Sequence, residues 1–152
     1  MANERKTESI VRSHFHKFDW IIVEEQSSEN PTINKLLKTA SKKWDGKWFP
    51  EFIISLNANS DLIIVIECKA DARKHESESR DKFSDFSVDW ALLYSSYLSK
   101  EFDVLSIAVS WETEREIKIS HFLQLKWEKK SVPIFWDKLL PCLLYTSDAA
   151  DE

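Results

Sequence analysis

Two carboxylates and a lysine lie at the ends of two strongly apolar segments. Glu51 precedes FIISL, and Glu67 and Lys69 end LIIVIECK. If the turn between these segments centres on Asn59, antiparallel pairing places Glu51 opposite Glu67, and side-chain alternation puts Glu67 and Lys69 on one face. Paired carboxylates are typical ligands of Mg²⁺, and a nearby lysine can orient water and offset phosphate charge. The pattern therefore predicts phosphodiester hydrolysis.

A salt bridge among the same three residues at a sheet edge is an equally good explanation. An acid followed two residues later by lysine occurs five times in the chain, and only the copy at 67–69 both ends a buried strand and faces an acid on a paired strand. The run LIIVI is apolar on both faces, which is typical of a central strand. Glu67 thus borders a region of low dielectric, where an unpaired charge is costly. Taken alone, the pattern leaves the catalytic and structural interpretations open.

Hydrophobic periodicity predicts alternating helices and strands around this hairpin. Thr7 is predicted to cap the first helix, and Pro31 to lie in the first turn of the second. Helices are predicted over 7–18, 30–43 and 86–102, strands over 20–25, 52–56, 62–67, 103–111 and 116–125, and the beginning of a further helix over 132–140. This order predicts one α/β domain with a mixed central sheet flanked by helices.

Composition indicates a globular domain in the cytoplasm. The 152 residues are 43% hydrophobic and 31% charged, enough apolar residues for a real core. No apolar stretch approaches the roughly 18 residues of a membrane span, and the polar start lacks a signal-peptide pattern. Cys68 and Cys142 are too few for a disulfide framework or a zinc site.

The last eleven residues, 142–152, resemble a translated sequencing-adapter sequence rather than evolved protein. We therefore expect the domain to occupy residues 1–141 and to be a fragment of a longer protein. The tail holds three acidic residues, so the net charge of −5 becomes −2 without it. A charge this small neither requires nor excludes a nucleic-acid partner.

The balance of glycine and tryptophan is unusual. The chain has one Gly and seven Trp, and several Trp occupy positions typical of turns. Glycine is the residue that enters positive φ at no steric cost. We hypothesise that the source organism reads UGA as glycine and that these codons were translated as tryptophan. The turn positions are Trp44, Trp48, Trp111, Trp127 and Trp136.

The stretch from Pro50 and Glu51 to Glu67 and Lys69 resembles the PD-(D/E)xK nuclease superfamily. More closely, GKWFPEFIISL, DLIIVIECKADARKHESESR and FSVDWALLYSSYLSKEFDVLSIAVSW resemble the N-terminal nuclease-like domain of type I and methylase-fused restriction-modification proteins. The resemblance implies a restriction endonuclease-like αβββαβ core and Mg²⁺-dependent cleavage of DNA. It makes Glu51 and Glu67 metal ligands, with Glu51 replacing the motif's aspartate, and Lys69 the catalytic lysine. It also implies that the main-chain carbonyl of Cys68 helps to hold the metal.

Further residues are candidates for accessory roles. Glu8 resembles an acid that many members of the superfamily supply to the metal site, although exposed acids are common at helix starts. Gln26 follows the first strand, where it could reach the site. His75 could contact a phosphate or a water at the metal, or be a solvated loop histidine. A basic cluster suited to DNA phosphates contains Arg73, Lys74 and Arg80.

The resemblance also implies partners. These are DNA and a fused or associated DNA adenine methyltransferase with its specificity region. Two alternatives stay open: a catalytically silent DNA-binding or protein-docking module, and a structure-specific junction nuclease acting as a symmetric dimer. Intact acids and lysine at 51, 67 and 69 disfavour the silent module, because such a module has no need of all three.

Overall fold

The structure is a computed structural model that describes residues 4–25, 27–42, 49–82, 85–113 and 115–134. Within these residues the order is a helix, a strand, a helix, two strands, a short 3-10 turn at Ala72–Lys74, a helix and three strands. The helices are α1 (Glu4–Phe15), α2 (Pro31–Lys42) and α3 (Ser87–Leu98). The strands are β1 (Ile21–Glu25), β2 (Phe52–Leu56), β3 (Asn59–Lys69), β4 (Asp103–Thr113), β5 (Glu116–Gln124) and β6 (Val132–Ile134).

The six strands form one mixed sheet in sequence order, from β1 to β6. Neighbouring strands are antiparallel except β3 and β4, which are parallel and are joined through α3. The parallel register pairs Leu62 with Asp103 and Lys69 with Ser110, so the carboxyl ends of both strands lie at the same end of the sheet. The predicted α/β class with a mixed sheet flanked by helices is confirmed.

Helices cover both faces of the central strands. One core cluster joins Val11 and Phe15 of α1 to Ile64 and Ile66 of β3. The other joins α2 and α3 to the alternate residues of β3, among them Val65. Burial on both faces explains why β3 reads as a continuous apolar run in the sequence.

The hairpin between β2 and β3 is tighter than predicted. Phe52 pairs with Ile66 and Ile54 with Ile64, as expected, but Leu56 pairs with Asn59 rather than with Leu62. The register shifts between Ser55 and Leu56, so the turn lies at 57–58 and β3 begins at Asn59. The predicted five-residue loop was wrong because its polar residues extend the exposed start of β3.

The helix boundaries also differ from the prediction. Helix α1 begins at Glu4, so Thr7 lies inside it, fully buried, and does not cap it. The start of the helix predicted over 132–140 is instead β6, which pairs with β5, and the rest of that segment lies outside the described residues. None of the helices in the described ranges is long and apolar enough to cross a membrane.

Candidate metal centre

Glu51 and Glu67 are brought together at one end of the sheet. Glu51 immediately precedes β2, and the pairing of Phe52 with Ile66 places it beside the last residues of β3. The carboxylate of Glu67 accepts a hydrogen bond from the backbone N–H of Glu51. The two acids, which are far apart in the chain, are thus neighbours at the carboxyl end of β3.

Helix α1 adds two carboxylates to this end of the sheet. Carboxylate oxygens of Glu4, Glu8 and Glu51 lie within 4.8 Å of one another, so that one cation could contact all three. Glu4 and Glu8 are one helical turn apart and project from the same face of α1. The Thr7 hydroxyl donates a hydrogen bond to the Trp111 carbonyl oxygen at 3.1 Å, which ties α1 to the end of β4.

Glu67 is the most deeply buried acid of the group, with 4% of its surface exposed. Burial raises the pKa of its carboxyl well above the ordinary value, and the negative charge of Glu51 raises it further. Lys69 and the Glu51 amide oppose this rise. A carboxyl group in this position requires either a proton or a cation, which is the environment of a metal ligand.

Lys69 places a positive charge against the acids. Its Nζ lies 3.8 Å from Oε1 of Glu4, and its side chain is 20% exposed. Glu67 and Lys69 are both among the last three residues of β3. Cys68 between them packs into the core on the face of the sheet that α1 covers. Burial raises the pKa of the Cys68 thiol well above its usual range, so the thiol stays protonated. The role of the Cys68 carbonyl oxygen remains a prediction.

His75 does not join the carboxylates. It is buried, and its Nδ1 and Nε2 lie 2.8 Å and 2.7 Å from the hydroxyls of Ser110 and Ser120. The Ser87 hydroxyl completes this cluster through Ser110 at 3.0 Å. Burial, with a smaller effect of Lys118, lowers the pKa of His75 to about 4. Both ring nitrogens are therefore engaged in holding the loop after β3 against β4 and β5.

The proposed DNA-phosphate residues are exposed and partly neutralised. Arg73 forms a two-bond ion pair with Asp71, with N–O distances of 3.1 and 3.0 Å. Arg80 forms an ion pair with Glu76. The Nζ of Lys74 lies 5.3 Å from the ring centre of Phe86. All three cations lie on the segment that follows β3.

Sequence reasoning missed Glu4. Glu4 precedes the predicted start of the first helix, so the predicted helix does not place it beside Glu8. The signal that could have found it is the four-residue spacing from Glu8, which places both acids on one helix face. Gln26 lies outside the described residues.

The donor atoms suit a hard divalent cation. All are carboxylate oxygens, the ligand type that Mg²⁺ prefers, and within the described residues the cluster includes no thiolate or imidazole. Three carboxylates this close repel one another unless a cation or a proton lies between them. The residues present therefore fit Mg²⁺.

The role of the site cannot be transferred from a relative, because comparisons with family models, curated proteins and solved structures gave no match. Its chemistry must be argued from its own residues. These are the clustered carboxylates of Glu4, Glu8 and Glu51, a set that does not include the Glu67 carboxylate, together with Glu67 and Lys69 beside them. They lie where two parallel strands end, a place at which α/β proteins commonly bind ligands.

Proposed function

We propose that this chain is the Mg²⁺-dependent DNA endonuclease domain of a restriction-modification system. Its αβββαβ core would be formed by α1, β1 to β3, α3 and β4, with α2 inserted between β1 and β2. The observation that carries the proposal is the convergence of carboxylates from three elements beside a lysine. A structural salt bridge needs one acid for Lys69, whereas the carboxylates of Glu4, Glu8 and Glu51 lie within 4.8 Å of one another here and buried Glu67 lies beside Glu51.

Each residue has a role in this proposal. Glu51 and Glu67 would hold the metal, with Glu8 and Glu4 as further ligands from the helix. Bound there, Mg²⁺ supplies charge neutralisation and Lewis acidity at the phosphate. Lys69 donates hydrogen bonds to the phosphate and to the attacking water and stabilises the charge of the transition state.

The bond changes are those of a hydrolysis. The water oxygen bonds to phosphorus as the bond from phosphorus to one deoxyribose oxygen breaks, in line with the attack. One proton of the water is lost to a nearby base, and the departing oxygen gains a proton. The products are a phosphate monoester and a free hydroxyl group on the two new strand ends.

The proposed substrate and partners follow from the same interpretation. The cations at 73, 74 and 80 contact DNA phosphates without reading sequence. A fused or associated adenine methyltransferase and its specificity region supply recognition of the DNA sequence. As part of a restriction-modification system, the domain would act in the cytoplasm.

The test is nicking of supercoiled plasmid by the purified chain, in Mg²⁺ and in EDTA. We expect nicking in Mg²⁺ only, and a loss of about 100-fold or more in Lys69→Ala and Glu51→Gln. Lys126→Ala and Glu101→Gln change the same residue types at exposed positions away from the site and serve as matched controls.

Two results would contradict the proposal. Nicking that persists in EDTA would separate cleavage from the metal. Nicking by Lys69→Ala at the wild-type rate would show that the activity comes from elsewhere. DNA binding without any nicking would favour the silent module, and a dimer that cuts only four-way junctions would favour the junction nuclease.

A further inference from the structure

A cavity lies beside the candidate metal centre, between the 3-10 turn and the hairpin of β4 and β5. Its volume is about 680 Å³, within the range of small-molecule sites. Its charged lining consists of Arg73, Glu112, Arg115, Glu116 and Lys118. The cavity therefore offers both cations and hydrogen-bond acceptors to one ligand.

Two of the cations are available to an anion. Arg73 is paired with Asp71. By contrast, Arg115 and Lys118 form no ion pair within the described ranges, although two carboxylates line the same cavity. Arg115 and Lys118 are both exposed. A phosphate group bound here would gain two charge-assisted contacts without breaking an existing ion pair.

The two carboxylates of the cavity lie against each other. The neighbouring carboxyl group of Glu112 raises the pKa of Glu116. Glu112 also accepts a hydrogen bond from the backbone N–H of Ala72 at 3.4 Å, which holds it toward the 3-10 turn. Carboxylates in contact are stabilised by a donor placed between them, such as the amino group of a base.

The position of the cavity relates it to the metal centre. Ala72, which lines it, follows Lys69 by three residues, a span of about 10 Å at most. Lys69 pairs with Ser110, so the carboxyl ends of β3 and β4 lie side by side. Glu112, near the end of β4, therefore lies at the same end of the sheet as the carboxylates of the candidate metal centre. A DNA strand with one phosphate at Lys69 would reach the cavity within a few nucleotides.

We propose that this cavity binds one nucleotide of the cleaved DNA strand, within a few nucleotides of the cleaved bond. Arg115 and Lys118 contact its phosphate, and Glu112 and Glu116 accept hydrogen bonds from an amino group of its base. Cytosine and adenine carry such a group and thymine does not. The inference rests on the proposed function for the position of the cut, but it predicts binding in the absence of metal.

The experiment measures anisotropy of fluorescein-labelled oligo(dC)8 and oligo(dT)8 in EDTA at several salt concentrations. We expect wild type to bind oligo(dC)8 about tenfold more tightly than oligo(dT)8. The double variant Arg115→Ala/Lys118→Ala should lose about tenfold in affinity for both and show a salt slope smaller by about 0.7, the value for one phosphate of a single strand. Glu112→Ala/Glu116→Ala, which removes both acceptors, should lose the preference for oligo(dC)8.

Lys126→Ala/Lys129→Ala is the matched control, because these exposed lysines lie beyond the opposite end of β5. It should bind both oligonucleotides as wild type does. The inference is overturned if Arg115→Ala/Lys118→Ala binds like this control, if wild type does not distinguish oligo(dC)8 from oligo(dT)8, or if it binds neither.

Plasmid nicking separates this inference from the proposed function. If nicking requires Lys69 but the cavity variants bind DNA normally, the inference fails and the nuclease proposal stands. If the cavity variants lose binding as expected but no Lys69-dependent nicking is found, the cavity remains a nucleotide site and the nuclease proposal fails.

Discussion

Glu67 illustrates how a single residue can be costly to the fold and useful to a site. Its carboxyl is buried, and its pKa is raised by burial and by the charge of Glu51. The ion pair between Lys69 and Glu4, at 3.8 Å, places one positive charge beside the carboxylates of Glu4, Glu8 and Glu51. A bound cation would add positive charge where these three carboxylates lie within 4.8 Å of one another. This geometry supports the interpretation as a metal site.

His75 should make stability depend on pH. Burial lowers its pKa from 6.5 to about 4, so between these values the unfolded chain binds a proton that the folded chain does not. The contribution of His75 to the free energy of unfolding therefore falls as pH decreases through this window, by about 2 kcal/mol between pH 7.5 and pH 5. Urea unfolding of wild type and His75→Gln at a series of pH values measures the difference.

His75→Gln should be less stable than wild type at pH 7.5, and the gap should narrow toward pH 5. His16→Gln removes an exposed histidine instead and should keep the wild-type dependence. A constant gap between wild type and His75→Gln across this range would contradict the prediction.

Individual site residues differ in how well the sequence predicts them. The sequence predicts that Glu51 and Glu67 are neighbours, because a hairpin joins their two strands and side chains alternate between the faces of each strand. The buried serine contacts of His75 could not be predicted, since they depend on the long-range register that places Ser110 and Ser120 beside it. A polar loop sequence does not show which of its residues will be buried.

At the scale of elements, the turn after β5 contains a residue unsuited to its backbone. Trp127 has φ of 73°, in the left-handed region, and its side chain is largely exposed. A residue with a Cβ pays about 1 to 2 kcal/mol for this conformation, and glycine does not. The observation agrees with the hypothesis that some tryptophans stand at glycine codons.

Trp127→Gly should therefore be more stable than Trp127→Ala by about 1 kcal/mol, because both variants remove the ring and only glycine removes the steric cost. Chemical denaturation of the two variants measures the difference. Trp90→Gly is a useful contrast, since Trp90 is buried in α3 and stacks on Tyr94, so its loss should destabilise the chain. Equal stability of Trp127→Gly and Trp127→Ala would refute the argument.

The elements with a clear hydrophobic pattern were predictable from the sequence, and the three-residue strand β6 was not. Strands β2 and β4 and helices α2 and α3 were recognised within a few residues because each has a clear hydrophobic pattern. Strand β6 has three residues, and its apolar sequence is equally compatible with a helix. This segment forms a strand because it pairs with β5, and its local sequence does not specify that pairing.

At the scale of the whole molecule, the candidate centre joins three parts of the chain. Glu4 and Glu8 come from α1, Glu51 from the start of β2, and Glu67 from the end of β3. The element order predicted a mixed sheet, but it did not predict that the first turn of α1 would reach the carboxyl end of β3. That placement depends on packing of α1 against the sheet and on the bond from Thr7 to Trp111.

A cation bound by these acids should therefore fasten α1 to the sheet. We expect Mg²⁺ to slow amide hydrogen exchange in the first turns of α1 and at the hairpin end near Glu51, because opening α1 would release the ion. Exchange in β5 should change little. Glu8→Gln should weaken the effect, whereas Glu101→Gln, at an exposed position after α3, should retain it. Equal protection of α1 with and without Mg²⁺ would show that the helix supplies no ligand, even if Glu51 and Glu67 bind the metal.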